Sequence, residues 1–471
     1  VKYVARPPQI PIEEQIYRRK RTNVWASMGA GKTGAVLNAM NNLDLVEDGP
    51  TLCIGPLRVA EVTWPDEVAK WDQLSHWRVS PVLGPPQARL AALKADANLF
   101  TVNFENIPWL VEEFSGRKRW PFKAVIFDEC TRLAGFRLQQ GSKQAKALGK
   151  VAHTEVDRWI NLTGTPAPNG LLGLWGQNYF VDAGEALGRS YSAYVDRWFQ
   201  RVNEAKKLPG GKVFQVPIIR ATEWAQAEIE DRMRDCTVVI NAKDYFDLAE
   251  PIVNVINVRL PGKARSLYRE MERNFYMELD GHGIEAVHSA AKSIKLLQLA
   301  SGAVYLDSDT KEWAEVHDAK VQALDSICQE AGGASVLAVY HWRPTLMRLA
   351  KAFPHARLLK DAQSIRDWNA GRISLGFAHP QSIGHGISLQ DGGNIIAHVD
   401  QWWDLERHDQ INERLGPMRQ MQSGYDRPVF QHYIVAEDTE DERVLLRHTS
   451  KRSIQDLLTD RMSYMKRKGI I

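Results

Sequence analysis

The sequence predicts an α/β protein built on two parallel sheets, with a helical segment between them. Two observations lead there. Short apolar runs alternate with segments of helical spacing in both halves of the chain, a pattern of strand–helix–strand units. The chain has 471 residues, 44% apolar and 25% charged. That is enough for two or three packed cores, and it excludes disorder and collagen-like order.

The first half places strands at Asn23–Ala26, Thr51–Gly55, Leu99–Val102, Ala124–Phe127 and Trp159–Leu162. Helical spacing fills Gly34–Asn42, Val59–Trp71 and Pro86–Lys94 between them. From about Val181 to Lys243 charge and aromatics rise, and Leu208-Pro209-Gly210-Gly211 marks a loop. A strand over Ile252–Leu260 stops at Pro261-Gly262, and a long helical stretch follows over Lys263–Leu279 and Ile284–Ala300. Met271, Phe275, Met277 and Leu279 are its expected packing face. Alternation resumes at Ser335–Tyr340, Ile373–Phe377, Asn394–Val399 and Val429–Val435. The expected organisation is therefore a first lobe over 1–205, a linker and helical insert over 206–315, and a second lobe over 316–471.

Lysine and arginine total 60 against 57 acidic residues, a net charge of +3. A histone-like polycation is excluded, so any nucleic-acid contact must be a local groove. The basic runs Arg18–Arg21 and Lys466–Lys468 fit either a DNA path or a solvated face. Cys53, Cys130, Cys236 and Cys328 are isolated, wrong for a zinc ribbon or a disulfide framework, and are read as reduced thiols. No apolar run approaches the ~20 residues that span a bilayer, and the first residues carry no apolar signal core. A cytoplasmic protein is expected (in the host cytoplasm, if viral), with no membrane partner.

Chemistry concentrates first at Ala26-Ser27-Met28-Gly29-Ala30-Gly31-Lys32-Thr33, between a short strand and a helical pattern. It matches G-x-x-x-x-G-K-[ST] except for Ala26 at the first position. Gly29 and Gly31 permit backbone torsions that turn successive N–H groups towards phosphate oxygens. The start of the next helix, at Gly34, adds its positive field. Lys32 brings a mobile charge for the β- and γ-phosphates, and the Thr33 hydroxyl suits Mg²⁺. Met28, Gly29, Ala30, Gly31, Lys32, Thr33 and Gly34 are thus candidate nucleotide ligands. Downstream, Val125-Ile126-Phe127 ends in Asp128-Glu129. A buried strand delivering two carboxylates to the top of a parallel sheet suits Asp128 to hold Mg²⁺ and Glu129 to polarise the attacking water. Hydrolysis of a nucleoside triphosphate follows from these two motifs.

With these, Thr51–Val59, Trp64–Trp71 and Leu162-Thr163-Gly164-Thr165-Pro166 resemble motifs I, Ia, II and III of superfamily-two helicases. The Leu-Thr-Gly-Thr-Pro run narrows the resemblance to the Swi/Snf branch, in its compact phage or prophage form. Ser335–Tyr340, Gln381–Gln390 and Gln410–Arg414 resemble motifs IV, V and VI in order. The resemblance spans nearly the whole chain. It implies two RecA-like lobes of a DEAD/DEAH-like core, with ATP and Mg²⁺ bound between them and a DNA duplex across both. It makes Gln410 a nucleotide contact and Arg414 a catalytic arginine. Thr163 and Thr165 become relay residues, Arg58 a DNA-phosphate contact, and Gly384, His385 and Gly386 a loop close to DNA.

Three departures stand out. Cys130 replaces the usual histidine, or the serine of phage forms, after the acidic pair. Pro417 replaces the second motif VI arginine, so Arg419 is expected to serve from a reshaped loop. The base-reading glutamine upstream of the phosphate loop is either Gln9 or Gln15. The implied function is an ATP-dependent DNA helicase or double-stranded-DNA translocase in phage or prophage replication, recombination or repair, with partner proteins from those processes. An RNA helicase and an ATP-dependent DNA-binding scaffold with slow turnover are the alternatives.

Overall fold

A computed structural model describes residues 1–450 except 28, 48, 116–118, 169, 208–212, 275, 280–281, 286–288, 307–310 and 384–387; for 204–207, 213–217, 276–279, 282–285 and 289–290 it describes the backbone alone. The chain forms two compact units, one from 1–205 and 215–247, the other from 206–214 and 248–450.

In the first unit the strands are β1 (Arg21–Ala26), β2 (Thr51–Gly55), β3 (Val79–Pro81), β4 (Leu99–Asn103), β5 (Ala124–Asp128), β6 (Arg158–Thr163), the paired β7 (Phe199–Lys207) and β8 (Val213–Ala221), and β9 (Thr237–Ile240). Seven form one sheet in the order β3-β4-β2-β5-β6-β1-β9, every neighbouring pair parallel. The central strands are continuous apolar runs because both faces are covered. Leu52, Ile54, Val125 and Phe127 point into one cluster with Trp159 and Phe180. Their alternates Cys53 and Ile126 point into the other, with Val24, Val36 and Leu162. This period-2 division sets the register. Each strand expected in this half is present within two residues of its expected ends. β3, β7, β8 and β9 are additional.

Arg21, in one of the basic runs, is half-buried and turned to the backbone of its own unit. Its guanidinium donates to the carbonyls of Val181, Val156, Ala152 and Phe180, and burial lowers its pKa to about 10. It opens β1, the opposite end of that strand from the phosphate loop.

In the second unit the strands are β10 (Ile252–Val258), β11 (Tyr276–Leu279), β12 (His282–Glu285), β13 (Ala303–Tyr305), β14 (Trp313–Glu315), β15 (Val336–Val339), β16 (Arg357–Leu358), β17 (Leu375–Ala378), β18 (Ile395–His398) and β19 (Phe430–Ala436). Six make a second parallel sheet, β10-β19-β18-β15-β17-β16. Helices Gly262–Asn274 and Ser289–Ser301 pack through Leu267, Tyr268, Met271, Leu296 and Leu299. The helix expected to run to Leu279 stops at Asn274, and an antiparallel hairpin of β11 and β12 follows. Tyr-Met-Glu-Leu is a β-prone run, and Asp280-Gly281 is a hairpin-turn pair in the sequence. Met277 and Leu279 therefore lie in a strand, while Phe275 is outside the described residues. The segment expected as linker and insert is shared: β9 closes the first sheet, and from 248 the chain belongs to the second unit.

All four cysteines are free, and Cys53, Cys130 and Cys236 are buried. Burial raises the Cys236 thiol to about 12 and Cys328 to about 11, so both stay protonated at neutral pH. Among the described residues no helix is long and apolar enough to cross a membrane.

Candidate active site

The strand order brings the chemistry of the first unit to one edge. β6 lies between β1, which feeds the phosphate loop, and β5, which ends in Asp128. Trp25 is level with Thr163, and Leu162 with Asp128. Three carboxyl-terminal strand ends thus converge, where ligands of parallel sheets collect.

Gly29 and Gly31 hold φ of 79° and 80°, the left-handed region the loop requires. Gly31 caps the helix Lys32–Leu43, which places Thr33 in its first turn. A Cβ on Gly31 would lie 2.5 Å from Arg6 Nη2 and 2.6 Å from Gln9 Nε2, so a larger residue would have to displace both side chains. The Lys32 ammonium folds back and donates to the carbonyls of Ala26 (2.6 Å) and Ser27 (3.4 Å). The loop is propped from β9: Ser27 N–H donates to Ile240 O at 3.0 Å, and its hydroxyl oxygen accepts from Ala242 N–H at 3.2 Å. Met28 lies outside the described residues.

The two candidate glutamines have different surroundings. Gln9 Nε2 donates to Gly31 O at 3.0 Å, and its Oε1 accepts from Arg6 N–H at 2.9 Å. Gln15 Nε2 donates to Thr22 Oγ1 and Asp235 O, holding the first helix to β1 and the turn before β9. Gln9 is therefore the glutamine at the phosphate loop. Arg6 was missed because its role depends on how the first turn folds over Gly31.

Burial pushes the Asp128 carboxyl above its usual range; the Trp64 N–H, the Lys32 charge and the Glu129 backbone N–H oppose the rise. Trp64 Nε1–H donates to Asp128 Oδ2 at 3.1 Å. Trp64 is fully buried and follows a π-helical turn, Val59–Thr63, in the motif Ia-like run. Such turns recur at functional sites. Arg58 precedes this turn and is half-buried. Glu129 holds φ 61° and ψ 58°, an uncommon conformation for a non-glycine residue. No cluster of three or more His, Cys, Asp or Glu suited to a metal occurs among the described residues. Mg²⁺ typically takes one or two protein oxygens together with phosphate and water. A half-buried carboxylate at the end of β5, within the field of the Lys32 charge, together with a hydroxyl in the first turn of the following helix, fits that requirement.

Beyond Glu129, Cys130 Sγ–H donates to Gln177 Oε1 at 3.2 Å, and Gln177 Nε2 donates to Pro166 O at 2.9 Å. Thr163 Oγ1 accepts from Thr165 N–H at 3.0 Å. The Thr165 hydroxyl is buried without a hydrogen-bond partner among the described residues.

In the second unit, Gln410 is buried on the helix Leu405–Asn412, and Arg414 is buried just beyond it. His398 Nε2 meets Asn412 Oδ1 at 2.7 Å, which ties this helix to β18. Pro417 opens a new helix, Pro417–Gln422, at a position where the missing N–H has no acceptor to lose. The departure at Pro417 thus starts a helix and puts Arg419 in it. Arg419 is half-buried, burial lowers its pKa with Glu413 opposing, and Nη1 lies 3.4 Å from Ser388 Oγ. Gly384, His385 and Gly386 lie outside the described residues.

The class is set by the sheets and the loop together: a two-unit parallel α/β protein with a phosphate-type loop and an acidic turn at neighbouring strand ends. The chain belongs to the family of protein p41 of Acyrthosiphon pisum secondary endosymbiont phage 1. It is 52% identical to that protein over 464 residues, which cover 98% of this chain and 99% of p41. A solved Sulfolobus solfataricus SWI2/SNF2 ATPase core in complex with double-stranded DNA is similar at a TM-score of 0.42 and 19% identity, covering 99% of this chain and 95% of that one. No protein-family model matches the chain.

Proposed function

We propose that this chain is an ATP-dependent DNA helicase or double-stranded-DNA translocase, in which DNA-stimulated ATP hydrolysis drives movement on DNA during phage or prophage replication, recombination or repair. The observation that carries the nucleotide reading is the convergence of a left-handed glycine loop, Lys32 and the half-buried Asp128 at adjoining strand ends. The series of motifs from Lys32 to Arg414 supports the DNA reading.

Backbone N–H groups of Gly29 to Thr33 and the Lys32 ammonium bind the phosphates. To do so, Lys32 exchanges the carbonyls of Ala26 and Ser27 for phosphate oxygens, a gain in opposite charge. Thr33 and Asp128 hold Mg²⁺, which supplies charge neutralisation at the triphosphate. Glu129 accepts a proton from the attacking water and orients it. Gln9 faces the base side, with Gln410 a further nucleotide contact. Arg414 and Arg419 stabilise charge on the phosphoryl group in transfer. Arg58 and the 384–386 loop hold DNA phosphates, and Thr163 and Thr165 link hydrolysis to that grip.

Phosphate release measured without nucleic acid and with single strands, duplex, forked DNA and RNA, alongside strand displacement, tests the reading. Duplex DNA is expected to stimulate most. Stimulation by RNA alone favours the RNA helicase, and ATP-dependent DNA binding without stimulated release favours the scaffold. Lys32→Ala is expected to abolish every nucleotide-dependent signal.

A further inference from the structure

The acidic turn and the loop after β6 share a hydrogen-bonding partner. They are bridged by one buried side chain, Gln177, on the helix Leu174–Asp182. Its carbonyl oxygen accepts from Cys130 Sγ–H at 3.2 Å, next to Glu129. Its amide nitrogen donates to Pro166 O at 2.9 Å, next to Thr165, and to Gly173 O at 3.4 Å. Its own backbone carbonyl accepts from Asn161 Nδ2 in β6 at 3.0 Å.

The helix is held close for this contact. A Cβ on Gly176 would lie 2.5 Å from Leu133 O and 3.0 Å from Ala134 O, so backbone packs on backbone there. Glycine alone permits that approach, and it brings the neighbouring Gln177 within reach of Cys130.

We propose that Gln177 is a positioning residue that transmits changes at the acidic turn to the Thr163–Pro166 loop. The inference rests on the ATP-hydrolysing function proposed above. Both ends of one planar amide are engaged, so displacing one end alters the geometry of the contact at the other. When the Glu129–Cys130 turn shifts with nucleotide, Cys130 carries Oε1, and the rigid amide carries Nε2 and Pro166 with it. Buried polar groups resist losing their partners, so the bridge moves as a unit. The thiol is the donor in this chain, and a serine hydroxyl at position 130 donates in the same place.

Hydrogen–deuterium exchange with and without Mg²⁺ and a non-hydrolysable ATP analogue tests the bridge in the full chain. In the wild type the analogue is expected to slow exchange at both 128–131 and 163–167. Gln177→Leu is expected to keep the first effect and lose the second, whereas Cys130→Ser keeps both. The ratio of duplex-stimulated to unstimulated phosphate release in Gln177→Leu is expected to fall about fivefold or more, with KM for ATP within about twofold. If Gln177→Leu does not fold, Cys130→Ala removes the donor without altering the helix, and the same loss at 163–167 is expected. A folded Gln177→Leu or Cys130→Ala that protects both segments like wild type overturns the bridge. A wild type that responds to nucleotide at neither segment overturns the ATP reading, and the bridge with it.

Discussion

Glu129 sits at φ 61° immediately after an apolar strand, with the half-buried Asp128 beside it. Sparsely populated backbone of this kind costs about 1–3 kcal/mol and persists where its surroundings over-determine it. Glu129→Gln preserves size and hydrogen bonding but removes the base. Nucleotide binding is expected to persist while turnover falls by about 10²–10⁴, checked by fluorescent-nucleotide titration and single-turnover phosphate release. Wild-type turnover in that variant would remove Glu129 from the mechanism. Trp64→Phe keeps the buried ring but deletes the N–H to Asp128. The Mg²⁺ concentration for half-maximal turnover is expected to rise about 10-fold or more, and an unchanged Mg²⁺ titration would count against Trp64 as the orienting donor. At this scale Lys32, Asp128 and Glu129 stand out in the sequence because a short motif carries their proposed chemistry. Trp64 and Gln177 do not, since their partners lie elsewhere in the sequence: 64 with 128, 177 with 130 and 166; Arg6 comes near Gly31 only through the fold of the first turn.

Elements show where local pattern suffices and where tertiary context decides. β2, β5 and β6 are apolar runs long enough to announce themselves. Thr237–Ile240 is four residues inside a charged stretch, and only its pairing with β1 makes it a strand. Yet its end props Ser27 and hence the phosphate loop. Pro417 looks disruptive in sequence but begins a helix bearing Arg419. Arg419→Ala is expected to slow hydrolysis by about 10³ or more if that side chain serves as an arginine finger, with nucleotide affinity little changed. Equal turnover would leave Arg414 as the sole arginine in that role. At the other end of β1, Arg21→Ala strips four backbone carbonyls of their donor. A loss of about 2–3 kcal/mol is expected, read as an earlier urea transition of the first unit. An unchanged midpoint would show that water replaces the guanidinium at no cost.

Across the whole molecule, strand–helix alternation revealed both parallel sheets, because each is buried on two faces and written in continuous apolar runs. The division of the middle segment was less legible, since β9 and β10 lie close in sequence but join different sheets. Two units of this kind suit a cycle in which nucleotide state alters the grip on a polynucleotide. If hydrolysis drives travel along duplex DNA, as proposed, its rate depends on duplex length. A motor that moves leaves short duplexes at their ends and must rebind, so phosphate release at saturating DNA ends is expected to rise with duplex length and then level off. Release that is unstimulated by duplex, or stimulated equally at every length beyond the binding site, would contradict it.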